Sequence, residues 1–233
     1  MNVAIVTAGG SGVRTGYKVP KQFLTVYDVP IIVYTLQNIA RHPSIAKIVV
    51  VVPDGWQSFV QAYAEQYGLR KVVAIVPGGD TRFQSVFHGV KALLKDLTTD
   101  QCQEMLVGIY DGNRPLIPAE VTSKVIEGAK QYGAAVALEP CYDTMLQCCD
   151  NTFITNVVDR TKLFKGQCPE FIQAPKILNL YAKKEQDTLP DLPVYALLQH
   201  CGEQVAYVQG SSKSFKITTA DDIELFKAMV KSK

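Results

Sequence analysis

Asn2-Val-Ala-Ile-Val-Thr7 runs directly into Ala8-Gly-Gly-Ser-Gly-Val-Arg14, and this junction decides the fold. The apolar run reads as a strand, and the glycines that follow break it at its carboxyl end. The alternation of apolar run, polar turn and amphipathic stretch then repeats along the chain. Lys47-Ile-Val-Val-Val-Val-Pro53 is apolar on both faces and reads as a central strand. Further strands are expected near 71–76, 105–110, 134–138 and 204–208. Helices are expected from Pro30, from about 57 to 67, after the turn Gly78-Gly-Asp-Thr81, from Pro118, near 175–184 and 194–201, and after the cap Thr219-Ala-Asp-Asp222. This order predicts an α/β fold with a doubly wound, mostly parallel sheet. Residues 141–168 break the pattern. They carry short β-like runs around Asp150-Asn151 and no helical period, which predicts a protruding two-stranded β-arm. With no internal repeat, residues 1–233 read as one domain that includes this arm.

Composition limits the partners. The chain has 24 Lys and Arg against 22 Asp and Glu, a net charge of +2, so no global field draws in nucleic acid or an anionic membrane. Any polyanion bound must be small and held by a local cluster. No apolar run approaches the 18 or more residues of a membrane span, and the start of the chain does not read as a signal peptide. The six cysteines form no C-x-x-C pair and lie at no zinc-finger spacing from a histidine. They read as reduced thiols in a cytoplasmic protein.

Ligands of open α/β sheets bind beyond the carboxyl ends of the strands, where three polar segments fall: 8–22, 78–85 and 111–114. In the first, Gly9, Gly10 and Gly12 let the backbone approach a ligand and aim N–H groups at phosphate oxygens, while Arg14, Lys18 and Lys21 add positive charge. Two familiar phosphate motifs are excluded. Lys21 is followed by Gln22-Phe23 and not by Ser or Thr, as a Walker A loop requires. The glycines also do not make a dinucleotide fingerprint, and no acid ends the second strand as that motif requires. Asp111 at a strand's carboxyl end has the chemistry to hold Mg²⁺ beside a polyphosphate. Asp80, Arg82 and Ser85 open a helix, and Lys216-Ile-Thr-Thr219 precedes another, where a lysine can reach a phosphate.

In this order the segments resemble the cytidylyltransferases that act on methylerythritol phosphate and on ribitol phosphate. The resemblance rests on Ala8-Gly-Gly-Ser-Gly-Val-Arg14, Pro20-Lys-Gln-Phe-Leu24, Pro77-Gly-Gly-Asp-Thr-Arg82 with Ser85, and Asp111-Gly-Asn-Arg-Pro115. Asp143-Thr144, Asp159-Arg160 and Lys216-Ile-Thr-Thr219 with Asp222 complete it. It implies a Rossmann-like nucleotidyltransferase fold, a homodimer built through the arm, CTP as cosubstrate, Mg²⁺ as metal, and release of pyrophosphate. It further implies Arg14, Lys21 and Lys216 as catalytic cations and Asp111 as the metal ligand. Ala8, Gly9, Gly10, Gly12, Gly79, Asp80, Ser85 and Arg114 would bind the nucleotide, and Thr144 and Arg160 the acceptor phosphate.

Some positions depart from the family pattern. Thr15 stands for the usual Met, Gly112-Asn113 for two alanines, and Cys168-Pro-Glu170 for Thr-Pro-Gln. The apolar Leu192-Pro-Val-Tyr195 stands where the family carries acids. These differences fall on the acceptor side. With the segment 153–167, which is closer to the ribitol-phosphate branch, they point to a linear polyol phosphate. The rival readings are a methylerythritol-phosphate cytidylyltransferase, a nucleotidyltransferase with another nucleotide or a sugar phosphate, and a non-catalytic nucleotide-binding homologue.

Overall fold

The computed structural model describes residues 1–9, 19–95, 102–149, 152–184, 190 and 192–231. In chain order the strands are β1 (Asn2–Thr7), β2 (Thr25–Val26), β3 (Val29–Pro30), β4 (Ile45–Val52), β5 (Val72–Pro77), β6 (Leu106–Asp111), β7 (Ala134–Pro140), β8 (Met145–Cys148), β9 (Ile154–Val158), β10 (Phe164–Gln173) and β11 (Ala206–Gln209). The helices are α1 (Ile31–Arg41), α2 (Gln57–Gln66), α3 (Arg82–Leu94), α4 (Ala119–Tyr132), α5 (Ala174–Lys184), α6 (Val194–His200) and α7 (Ala220–Lys231).

Seven strands form one sheet in the order β11-β7-β10-β6-β1-β4-β5. β1 pairs in parallel with both β4 and β6, β4 with β5, and β7 with β11. Only β10 runs against its neighbours, β6 and β7. Side chains on each strand alternate between the two faces, and each face is covered by helices. Ala4 and Val6 of β1 join Ile32, Leu36, Val60 and Val125 from α1, α2 and α4. Val3 and Ile5 join Val86, Val90, Ile177 and Leu197 from α3, α5 and α6. Gly89 lets α3 lie close on the sheet, because a Cβ there would stand 2.7 Å from Ile5 Cγ2. α7 makes a separate cluster with α1, in which Phe226 meets Ile31, Ile217 and the edge of Tyr34.

The doubly wound, mostly parallel sheet is the expected one, but the chain between 141 and 173 differs from expectation. A separate two-stranded sheet is formed by β8 and β9 alone, and its turn at 150–151 lies outside the described residues. Residues 164–168, expected in the arm, open β10 of the main sheet. Gly166 and Pro169 argue against a central strand by composition. The register shift between Gly166 and Glu170 accommodates them, leaving the donorless proline out of the ladder. All four side chains of β8 and four of the five in β9 are exposed. Among the described residues no helix is long and apolar enough to cross a membrane.

Candidate active site

The carboxyl ends of β1, β4, β5 and β6 share one edge of the sheet, and three loops are fastened together there. Ala8 donates its N–H to Val51 O at 2.7 Å, and Gln22 Nε2 donates to Ala8 O, so the first loop leaves and returns at the same point. Gly112 donates to Thr7 O at 2.8 Å, and a Cβ on it would stand 3.0 Å from that of Ala8. The approach is close enough that a Cβ there would push Ala8 back by a few tenths of an ångström. Gly78 donates to Val52 O at 2.8 Å, and Gly79 N–H to Ser85 Oγ at 3.1 Å. Thr81 and Gln84 form a capping box that fixes the start of α3 and therefore the direction of Arg82.

Asp111 ends β6, buried, within reach of three cations. Lys216 Nζ lies 3.2 Å and Arg114 Nε 3.0 Å from Oδ2, and Arg82 Nη2 lies 3.6 Å from Oδ1. Burial alone would raise the pKa of this carboxyl. Lys216, Arg82 and Arg114 more than reverse that and hold it well below the usual carboxylate range. A second buried acid stands behind it. Glu170 Oε1 accepts from Arg82 Nη1 at 3.3 Å and Oε2 accepts from the Tyr195 N–H at 2.9 Å. Three cations against two acids leave one positive charge in excess, which suits an anionic ligand. Cys168 Sγ accepts the Asp111 N–H at 3.5 Å. Burial and then the charge of Asp111 push its thiol up to about 12, so it remains protonated and is no nucleophile.

The loop carrying Lys216 is pinned by Asn113, whose Nδ2 donates to Ile217 O at 2.6 Å and whose carbonyl accepts from Ile217 N at 3.0 Å. Arg114 Nη1 adds a bond to Ser214 O at 2.6 Å. Lys21 is buried on a 3-10 turn. Burial works against the charge of Asp222, but the Thr219 and Thr218 N–H groups and the Thr219 hydroxyl, and last the charge of Lys21, lower its pKa.

The expected site residues are thus largely gathered. Arg114 and Lys216 both contact Asp111, Gly79 touches Ser85, and Ala8 lies against Gly112, with Gly9 next to it. Asp80 is exposed at the rim, its N–H bonded to Gln84 Oε1. Arg114 is a strut held by Asp111, Ser214 and Gly166. Thr144 and Arg160 are exposed beside the β8–β9 sheet, with Arg160 donating to Tyr142 O. Gly10, Gly12 and Arg14 lie outside the described residues. The pairing of Arg82 with Glu170 was not expected. Arg82 was visible in its motif, but nothing in the sequence tied it to an acid 88 positions away.

The IspD family, described as 2-C-methyl-D-erythritol 4-phosphate cytidylyltransferase, matches residues 2–232. The chain belongs to that family. It is similar to a ribitol-5-phosphate cytidylyltransferase of Lacticaseibacillus paracasei, at 33% identity over 100% of this chain and 99% of that protein. It is also similar to a 2-C-methyl-D-erythritol 4-phosphate cytidylyltransferase of Syntrophus aciditrophicus, at 35% identity over 98% of this chain and 95% of that one. Among solved structures it resembles 4-diphosphocytidyl-2C-methyl-D-erythritol synthase from Anaerococcus prevotii. That match has a TM-score of 0.80 and 25% identity, covering 99% of this chain and 96% of the other. In this IspD-family nucleotidyltransferase Asp111 is the buried carboxylate at the end of β6, beside the loops where phosphates are expected, with Glu170 behind it. Among the described residues no three His, Cys, Asp or Glu side chains gather into a metal cage. A single carboxylate fits Mg²⁺, which takes most of its ligands from water and substrate phosphates.

Proposed function

We propose that the protein is a CTP-dependent cytidylyltransferase that joins CTP to a polyol phosphate, with ribitol phosphate favoured, and releases pyrophosphate. The observation that carries this reading is the Asp111–Lys216 pair at 3.2 Å, set in an excess of positive charge beside the first glycine loop. A phosphate oxygen of the acceptor attacks the α-phosphorus of CTP. The new P–O bond forms as the bond from that phosphorus to the oxygen bridging to the β-phosphorus breaks, and pyrophosphate leaves with the electron pair. Negative charge grows on the α-phosphate, and Lys216, Lys21 and Arg14 are the cations that offset it. Gly79, Asp80 and Ser85 form the side that holds cytosine. Asp111 would hold Mg²⁺, which would supply charge neutralisation for the triphosphate.

The names of both relatives support a polyol-phosphate acceptor. Glu170 does not present a free charge to that acceptor, because Arg82 and the Tyr195 N–H occupy it. What remains on that side is Pro193 and Tyr195. A site built for one pattern of hydroxyls discriminates strongly against another. Comparing kcat/KM by pyrophosphate release for ribitol phosphate, glycerol phosphate and methylerythritol phosphate tests the choice. One of the first two should be the fastest; a clear preference for methylerythritol phosphate would overturn it. That compound is the second reading, favoured by the family match over residues 2–232.

A homodimer is part of the proposal. Tyr142, Leu146, Phe153, Ile154 and Val157 are large, exposed and apolar on or beside the β8–β9 sheet. A two-stranded sheet alone is marginal in water, so this one needs a surface to pack on. Sedimentation should show a dimer that becomes a monomer when residues 145–156 are deleted. A monomeric wild type would contradict the dimer.

A further inference from the structure

We infer that Glu170 is a positioning residue that fixes Arg82 as a further cation contacting the phosphates of CTP. The inference rests on the CTP reading above and deepens it. Glu170 is 2% exposed and lies on β10. A carboxylate so buried must be paired or neutralised. Its partners are Arg82 Nη1 at 3.3 Å and the backbone N–H of Tyr195 at 2.9 Å. The other edge of the same guanidinium reaches Asp111 Oδ1 at 3.6 Å. Two acids on two strands therefore hold Arg82 from two directions.

The side chain is nonetheless within reach of a ligand, being 35% exposed against 11% for Arg114. Arg82 also occupies the first position of α3, directly after the Gly79–Thr81 turn. This places it between the loop assigned to the base and the acid assigned to the metal, where the phosphates of a nucleotide must pass. A guanidinium already fixed there loses no further rotamer freedom on binding. Freeing it adds an ordering cost of about two- to twelve-fold in affinity.

The experiment is CTP titration by calorimetry into the full-length protein, wild type and Glu170→Gln. The amide still accepts from the Tyr195 N–H but no longer charges the pair. CTP affinity should fall by about two- to twelve-fold, whereas the KM for ribitol phosphate stays within twofold. That split separates positioning from a general structural loss, which would shift both. The double variant Arg82→Gln with Glu170→Gln has no buried charge to strand, so it remains informative if the single variant folds poorly. It should bind CTP still more weakly than Glu170→Gln. CTP affinity equal to wild type in either variant, or equal loss for both substrates, would overturn the inference. A wild type that binds no CTP would instead remove the functional reading on which it rests.

Discussion

Lys216→Ala is expected to lower kcat/KM by about 10²–10³ without unfolding the protein, the scale for losing one electrostatic donor to a developing charge. The lysine ammonium lies 3.2 Å from Asp111 Oδ2, yet its side chain is 41% exposed. Its ion pair therefore contributes little to stability. The loop around it keeps its own supports, because Asn113 Nδ2 and the Asn113 carbonyl still bind Ile217. A fall in kcat with an unchanged melting curve is the expected signature. Kinetics within tenfold of wild type would remove Lys216 from the reaction.

Arg82→Ala is expected to act on stability. Breaking a buried ion pair costs about 3–5 kcal/mol, because the remaining charge is stranded. Here the arginine side chain is 35% exposed, so solvent screens part of the interaction and about 2–3 kcal/mol is the better figure. For a chain of this size that lowers Tm by roughly 4–12 °C. The pH dependence has a definite sign. Burial raises the Glu170 pKa above its ordinary 4.5, even though Arg82 and the Tyr195 N–H oppose it. Asp111 adds to the rise, and Arg82 is the cation that limits it. For a raised carboxyl, stability is full below the unfolded pKa and is lost as pH rises through the folded one. Removing Arg82 raises the folded value further, so the gap to wild type should widen from pH 5 to pH 8. Adding Glu170→Gln should recover most of the loss. A gap that narrows with rising pH would contradict the assignment.

The parts of this molecule legible in its sequence are those that one local pattern determines. β1 and β4 are apolar on both faces and lie centrally, as such strands must. The turn Gly78-Gly-Asp-Thr81 announces the start of α3. Asp111 stands out in the sequence because ligand sites of such sheets collect at strand ends, whereas Lys216 precedes a helix and gains its role only from the resemblance. β10 was hidden because Lys165, Gly166, Pro169 and Glu170 give it the composition of a loop. Its strand conformation comes from the neighbours β6 and β7, not from its own residues. The Arg82–Glu170 pair was hidden for a related reason. It joins a helix to a strand across 88 positions, and no periodicity links them.

The central claim is the transfer of a cytidylyl group to a polyol phosphate. The most direct measurement incubates the full-length protein with CTP, Mg²⁺ and ribitol phosphate and follows pyrophosphate and the nucleotide product together. The account predicts that pyrophosphate appears in equal amounts with CDP-ribitol, that both require the acceptor, and that replacing CTP by ATP, GTP or UTP abolishes them. Binding of CTP with no pyrophosphate release from any polyol phosphate would contradict it.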